Sequence, residues 1–595
     1  MKKRSLVLTA AVTAVAMIGT AGSAIAADKP IYVEISNTAA GTLTQFLTAG
    51  DVIGGKTVMG VPDGMGAYKN KDGTITLLSN HEISAGAYLS GGQTSDDFAS
   101  RTERAYGGAG AQVSKYTIKP STMQVTKVEE AIKKIMWYDY NTGKYGSTPT
   151  APAGQTNDYD AQGIPVHDNI INRLCSAYLA PAGTLKGTGK NGWSTPLFFT
   201  VEEIGDDSRA FVLDPLTNTA YQMPRMGLAS FENALAVPNT GDDTIVIATE
   251  DGGKGMGQAT VSTLTASDSD LALGSQVFLY KGRKTSTGSF ADKAGLTNGY
   301  LNVLRLNDAT GKRIIDESAF RTAYPTKGTS VDATFVEIPW NADGQTVNIQ
   351  ARLKGTNLGG MEDLVQDVKD PNSIWFTTKS SGTPSASTIA LAPSQVAATK
   401  ASADGTTRDG GGIWKLTFTD ISKPQLGAKI QLVLDGSEAP YMYMIDNLEF
   451  DSTGRYLMIQ EDAGANNARQ RLLAYDTVNK TIAVIAQFSD KYFNPANTAT
   501  YMTNDEETSG IINVTALLGE VLNTTVGETF LFNAQVHPLA GAVNAEVSIA
   551  KQTSITRPDL TFADDAAIVD FKTKVLEGGA YYKLVITDWS KFTWQ

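Results

Sequence analysis

The chain has 595 residues, 42% of them hydrophobic and 19% charged, with 57 Gly and a single Cys. That apolar share is too high for a disordered chain, and one thiol cannot build a disulfide framework. Lys and Arg number 50 against 62 Asp and Glu, a net charge of −12, so the electrostatics oppose binding to a nucleic-acid backbone.

Lys2, Lys3 and Arg4 precede an apolar run from Leu6 to Ile18, and Ala24-Ile25-Ala26 supplies a small-x-small cleavage pattern. Residues 1–26 therefore read as a secretory signal peptide. Its removal leaves 569 residues, 27–595, and takes the charge to −15, because the segment holds three cations and no acid. The apolar run is too short to span a bilayer. No Cys follows the cleavage site to take a lipid anchor, and no later segment reads as transmembrane. The expected location is periplasmic or extracellular.

Further along, segments such as Thr74–Leu78, Phe198–Val201, Thr244–Ile247 and Tyr456–Ile459 are short, β-branched or aromatic, and bounded by Gly, Asp or Asn. These are strand and turn signals, and helical patterns are scarce. A degenerate repeat runs through them. Its copies begin at Pro62 (PDGMGAYKNKDGTITLLSNHE), Glu232 (ENALAVPNTGDDTIVIATEDGG), Met361 (MEDLVQDVKDPNSIWFTTKSSG) and Asp446 (DNLEFDSTGRYLMIQEDAG), each followed by a second hydrophobic strand. A fifth copy with an altered first part starts at Thr195, and a later unit holds Glu507 and His537. Strand, turn, strand repeated in this way predicts an all-β fold. Residues 27–595 should form a single irregular β-propeller domain of five or six blades. The Ser-, Thr- and Gly-rich segments 262–287 and 383–408 read as loop insertions.

In a propeller the ends of the innermost strands converge on one axis. The residues placed there by the repeat are Glu82, Glu203, Glu232, Glu250, Asp251, Glu362, Asp446, Glu461, Asp462 and Glu507. So many carboxylates repel unless cations neutralise them, and oxygen ligands in this number suit Ca²⁺ better than Mg²⁺. With only three His and no HExxH, a zinc hydrolase built on His clusters is not expected. His81 and His537 sit at strand ends and fit either a structural or a site role; His167 has no assignable place. Cys175 is either a buried small side chain or a thiolate ligand. No GxSxG, Walker or GxGxxG pattern stands in a strand-to-helix context, and the GAGAQ at Gly108 leads into a strand.

The ordered series LLSNHE, NRLCSAYLAP, TPLFFTVEE, ASFENALAV, VIATEDGG, GGMEDL, IDNLEFDSTGRYLMIQEDAG, EETSGI and NAQVHP, from about Val61 to Pro538, resembles the PhoX-type alkaline phosphatase family. The resemblance implies a β-propeller whose channel holds iron (Fe³⁺) and several Ca²⁺, and which hydrolyses small-molecule phosphomonoesters outside the cytoplasm. It implies Cys175 as an iron ligand and Glu203, Glu232, Glu250 and Glu362 as metal ligands. The chain departs from the family in two places. The interval of 28 residues from Cys175 to Glu203 is longer than the family's. Gly360 also stands where an Arg commonly grips phosphate, so that Arg209, Arg225, Arg352 or calcium alone would have to replace it. A secreted metal-dependent phosphomonoesterase is the expectation. A non-catalytic calcium-binding propeller, or a metal-dependent esterase or lactonase, remains as an alternative.

Overall fold

The computed structural model describes residues 29–83, 103–152, 169–251, 275–379, 411–436, 438, 440, 442–462, 469–537 and 556–595. The signal segment, His167, Pro538, residues 262–274 and all of 383–408 lie outside them. Of the segment read as an insertion at 262–287, the described part is not wholly loop: Val277–Arg283 is a buried strand.

The fold is a β-propeller. Five large antiparallel-rich sheets stand around an axis, and between them they supply six innermost strands. In chain order these are Pro62–Lys69, Leu174–Ala180, Phe231–Ala236, Met361–Gln366, Ile445–Phe450 and Glu506–Asn513. Each packs against the next, and the last packs against the first, so the ring is closed. The third and fourth share one nine-stranded sheet, joined at its middle where Val331–Ile338 pairs with Ala428–Asp435. The sheets therefore number five and the inner hairpins six.

The strands predicted from sequence are the second strands of these hairpins: Ile75–His81, Leu197–Glu202, Asp243–Glu250 and Tyr456–Glu461. They are buried almost end to end. A second strand is covered on both faces by neighbouring sheets, which is why it reads as a run of apolar residues rather than an alternation. One apolar cluster fills each gap between successive hairpin units. Leu78, Phe198 and Phe211 join the first and second hairpin units, and Phe199, Val246 and Phe278 the second and third. Leu279, Phe376 and Trp414 join the third and fourth, and Trp375, Leu448 and Leu473 the fourth and fifth. Met458 and Phe530 join the fifth and sixth, and Leu77, Leu531 and Tyr581 close the circle. The chain ends complete the last sheet, where Gly41–Thr48 pairs antiparallel with Gly578–Ile586.

Near the axis the backbones come very close. A Cβ at Gly64 would lie 2.1 Å from the amide nitrogen of Ala177 in the next inner strand. Gly510, at φ +38°, would put a Cβ 2.6 Å from the carbonyl oxygen of Asp63. Gly64→Ala is therefore expected to cost about 1–3 kcal/mol in denaturant unfolding. Gly146→Ala, where a Cβ meets nothing within 4 Å, should change stability by less than about 0.5 kcal/mol.

Candidate metal centre

The six hairpins all end in register at one end of the ring. The terminal pairs are Pro62↔His81, Leu174↔Glu202, Phe231↔Glu250, Met361↔Thr378, Ile445↔Glu461 and Glu506↔Val536. The residue after each pair on the first strand is Asp63, Cys175, Glu232, Glu362, Asp446 or Glu507. The residue after each pair on the second strand is Glu82, Glu203, Asp251, Lys379, Asp462 or His537. One structural position repeated six times thus builds two rings of chemistry-bearing side chains. In the first five hairpins the register shifts just past the first-strand position. Such bulges re-aim a side chain at the cost of local pairing.

Four groups of these residues bring potential ligand atoms within 4.8 Å of one another: Asp63–Glu82–Cys175, Cys175–Glu203–Glu232, Glu232–Glu362–Asp446 and Asp446–Asp462–Glu507. They share vertices and form one continuous chain. Three obey a single rule: both residues of a hairpin end, plus the first-strand residue of the next hairpin. Cys175, Glu203, Glu232, Glu362, Asp446, Asp462 and Glu507, and Glu82 beside them, are all brought together.

Glu250 and Glu461 are not. Each is the last paired residue of its second strand, and successive strand residues point to opposite sides. Glu250 accepts from the Gln276 amide at 2.9 Å. Glu461 accepts from the Tyr443 amide at 2.8 Å and from Arg471 Nε at 2.8 Å. The residue that follows each, Asp251 or Asp462, holds the ring position. His81 is the same kind of brace: Nδ1 donates to the Gly60 carbonyl at 2.6 Å and Nε2 accepts from Ser114 at 2.7 Å. Burial lowers its pKa to about 4, so the ring is neutral and structural. Glu202, in the same position, braces Arg209 at 2.8 Å. The dipeptides HE, EE, ED and ED in the sequence thus each combine one brace with one ring residue.

The electrostatics are those of an undercompensated acid cluster. Burial, then the charges of Glu203 and Asp63, pushes Glu232 well above the usual carboxylate range. Burial, then Glu362 and Glu232, does the same to Asp446. Burial and the surrounding acids raise the Cys175 thiol, which donates to Glu82 Oε1 at 2.8 Å and to Asp63 Oδ2 at 3.0 Å. One oxygen each of Asp63, Glu232 and Asp446 is buried with no hydrogen-bond partner. Buried carboxylate oxygens left bare in this way are costly unless a cation takes them.

Two cations stand among the acids, and neither was singled out from sequence. Arg173 meets Glu203 Oε2 at 2.8 Å and Glu82 Oε1 at 3.2 Å. Lys379 meets Asp251 Oδ2 at 2.7 Å and also Glu362 Oε1. His537 is held by Glu577 at 2.6 Å. Burial opposes its charge, but Glu577, Glu507 and Asp505 outweigh that and keep it protonated above the ordinary His range. Asp63 was also missed, although the repeat aligns it with Glu232, Glu362 and Asp446. The arginines considered as substitutes at Gly360 are engaged elsewhere. Arg209 pairs with Glu202 and lies over Trp137, and Arg225 lies 4.4 Å over Trp340. Arg352 is buried beside Glu250.

The long Cys175-to-Glu203 interval does not disturb the site. The antiparallel pairing runs from Ala180↔Leu197 to Leu174↔Glu202. Residues 181–196 thus form the turn at the far end of the hairpin, while Cys175 and Glu203 meet at the near end.

No protein-family model matches the chain, and no curated protein does. Among solved structures, the chain is similar to PhoX of Pseudomonas fluorescens in complex with vanadate, a transition-state analogue. The TM-score is 0.53 at 12% identity, covering 94% of this chain and 97% of that one. It also matches an α-L-arabinofuranosidase, Arb93A of Fusarium graminearum, with a TM-score of 0.34 at 7% identity over 92% of this chain and 98% of that one. The first likeness shows a shared propeller fold.

The buried acids set the pH response of the metal-free chain. Burial raises Glu250 from 4.5 to about 8 and Glu449 likewise. An acid with a raised folded pKa leaves stability intact below its unfolded value and erodes it as pH rises through the window, here about 4.5 to 8. Chelated protein should therefore melt at a lower temperature at pH 8 than at pH 5. Scanning calorimetry with a chelator at both pH values checks this. A higher melting temperature at pH 8 would contradict it.

Proposed function

We propose that the chain is an exported, metal-dependent phosphomonoesterase whose site is the double ring at the hairpin ends. The observation that carries this reading is the run of vertex-sharing acid triads with bare buried oxygens, at the ring end of a propeller that shares its fold with a vanadate-binding PhoX. Vanadate mimics a phosphoryl group in mid-transfer, and the acid triads of the present chain offer places for the cations that such chemistry uses.

The donor sets fit metal ions of two characters. Glu232, Glu362 and Asp446, and Asp446, Asp462 and Glu507, are all-oxygen sets of the kind Ca²⁺ takes. Cys175 adds a soft thiolate shared by the two remaining triads, which favours a transition metal such as iron there. Such ions, when bound, supply Lewis-acid polarisation of a phosphoryl oxygen and neutralise charge on the departing alkoxide. The side chains do the rest. The carboxylates would hold these ions rather than act as free bases; burial opposes the charge of Glu82, but Arg173 and the Cys175 hydrogen bond outweigh it, and Glu577 fixes the charged ring of His537. Residues 1–26 would direct export, and no helix among the described residues is long and apolar enough to cross a membrane.

Metal analysis of the purified mature chain, paired with phosphomonoester assays with and without calcium, tests the proposal. More than one equivalent of calcium is expected, and chelation should abolish hydrolysis. Glu362→Ala should lower kcat by about 10²-fold or more, the loss typical of removing one charge-stabilising group, with folding checked by circular dichroism. Failure of the calcium- and iron-loaded wild type to hydrolyse any monoester at alkaline pH would favour the calcium-stabilised binding propeller. Cys175→Ser should lose transition metal and its thiolate absorption band while retaining calcium. Unchanged metal content in that variant would remove Cys175 from the ligand set.

A further inference from the structure

The sixfold repeat of the hairpin end makes its exceptions informative. In four hairpins the second-strand position is an acid: Glu82, Glu203, Asp251 and Asp462. In the fourth it is Lys379, and in the sixth His537, which Glu577 already holds at 2.6 Å. Lys379 therefore places a covalently attached cation where the other hairpins place a metal-ligand type. Its ammonium lies 2.7 Å from Asp251 Oδ2 and against Glu362 Oε1. The side chain stays 21% exposed while those two acids are only 7% and 4% exposed. Its amide donates to the carbonyl of Gly360 at 2.7 Å. A Cβ at residue 360 would lie 3.4 Å from Lys379 Cε and 2.8 Å from Asp251 Oδ1, so Gly360 leaves the room in which the lysine stem lies.

We infer that Lys379 is an exchangeable counter-ion: it neutralises Asp251 and Glu362 in the metal-free chain, and becomes the anchor for an anionic phosphoryl oxygen once divalent cations occupy the triads. Glu362 is common to both states, because it also belongs to the triad with Glu232 and Asp446. A cation on that triad competes with the ammonium for the same carboxylate. The displaced ammonium, still tethered and part-exposed, then faces a site whose acid charge has been neutralised. Calcium and the anion consequently bind with positive coupling, which must be reciprocal. The inference rests on the phosphoesterase reading only for the identity of the anion.

The test uses binding of calcium ions and of inorganic phosphate, measured by calorimetry on the mature chain, and not turnover. In Lys379→Met the calcium-loaded chain should bind phosphate about tenfold more weakly, and the metal-free chain should bind calcium more tightly, because a competing cation is gone. A side chain that merely supports the metal site would weaken both. Lys379→Arg, which keeps the charge, should restore phosphate binding to near the wild-type value. Unchanged phosphate affinity in Lys379→Met, or weakened calcium binding, would overturn the inference, as would a folded Lys379→Arg chain that fails to restore. Calcium-dependent phosphate binding without hydrolysis of any monoester would remove the enzyme and leave the anchor. Hydrolysis with phosphate affinity indifferent to Lys379 would remove the anchor and leave the enzyme.

Discussion

Unbalanced charge is the constraint around which this molecule is built. Nine carboxylates stand at the hairpin ends with Cys175, and Arg173, Lys379 and His537 supply at most three positive charges among them. Two like charges 4.8 Å apart repel by about 3 kcal/mol at an effective dielectric constant near 20. Repeated along a chain of triads, that repulsion exceeds what a folded domain has to spare. The acids therefore hold protons or hold cations. Everything else at this end of the ring serves to keep them in place against their own repulsion.

A layer of neutral and half-neutral side chains beneath the acids does the holding. Each bulge brings a second residue to the axis just after the ring residue, and these residues reach across to neighbouring hairpins. Asn233 donates to Asp363 at 2.5 Å, and Asp363 accepts from the Leu448 amide at 3.1 Å. Asn447 donates to Ser176 at 2.5 Å and accepts from the Gly510 amide at 2.9 Å. Asn533 donates to the Asp63 carbonyl at 2.7 Å. The ring residues are thus fixed on backbones that these side chains tie together across the axis, which preorganises the site.

Much of this was legible because the same local problem is solved six times. The strands are covered on both faces, so they read as apolar runs, and the dipeptides EN, ED and DN recur at the bulges. What sequence could not separate was side. Glu250 and Asp251 are adjacent in a motif, and only the hairpin register shows that one braces the Gln276 amide while the other enters the ring. Glu461 looked equivalent to the site acids because its partner Arg471 lies in the next strand, ten residues on. Lys379 and Arg173 were invisible for the opposite reason. A cation gives no acid pattern, and its position follows only from pairings such as Met361↔Thr378. Residue type alone points to Arg209, Arg225 and Arg352, and aromatic faces and Glu202 claim two of them.

The pairing of Gly41–Thr48 with Gly578–Ile586 has a temporal meaning as well as a structural one. Gly41–Thr48 is the outermost strand of the last sheet, and its partner emerges more than five hundred residues later, so that sheet can be completed only when the end of the chain is present. Closing so long a loop is entropically costly, though the cost grows only slowly with length. Until then the sixth hairpin, which carries Glu507 and His537, lacks the two outer strands of its sheet.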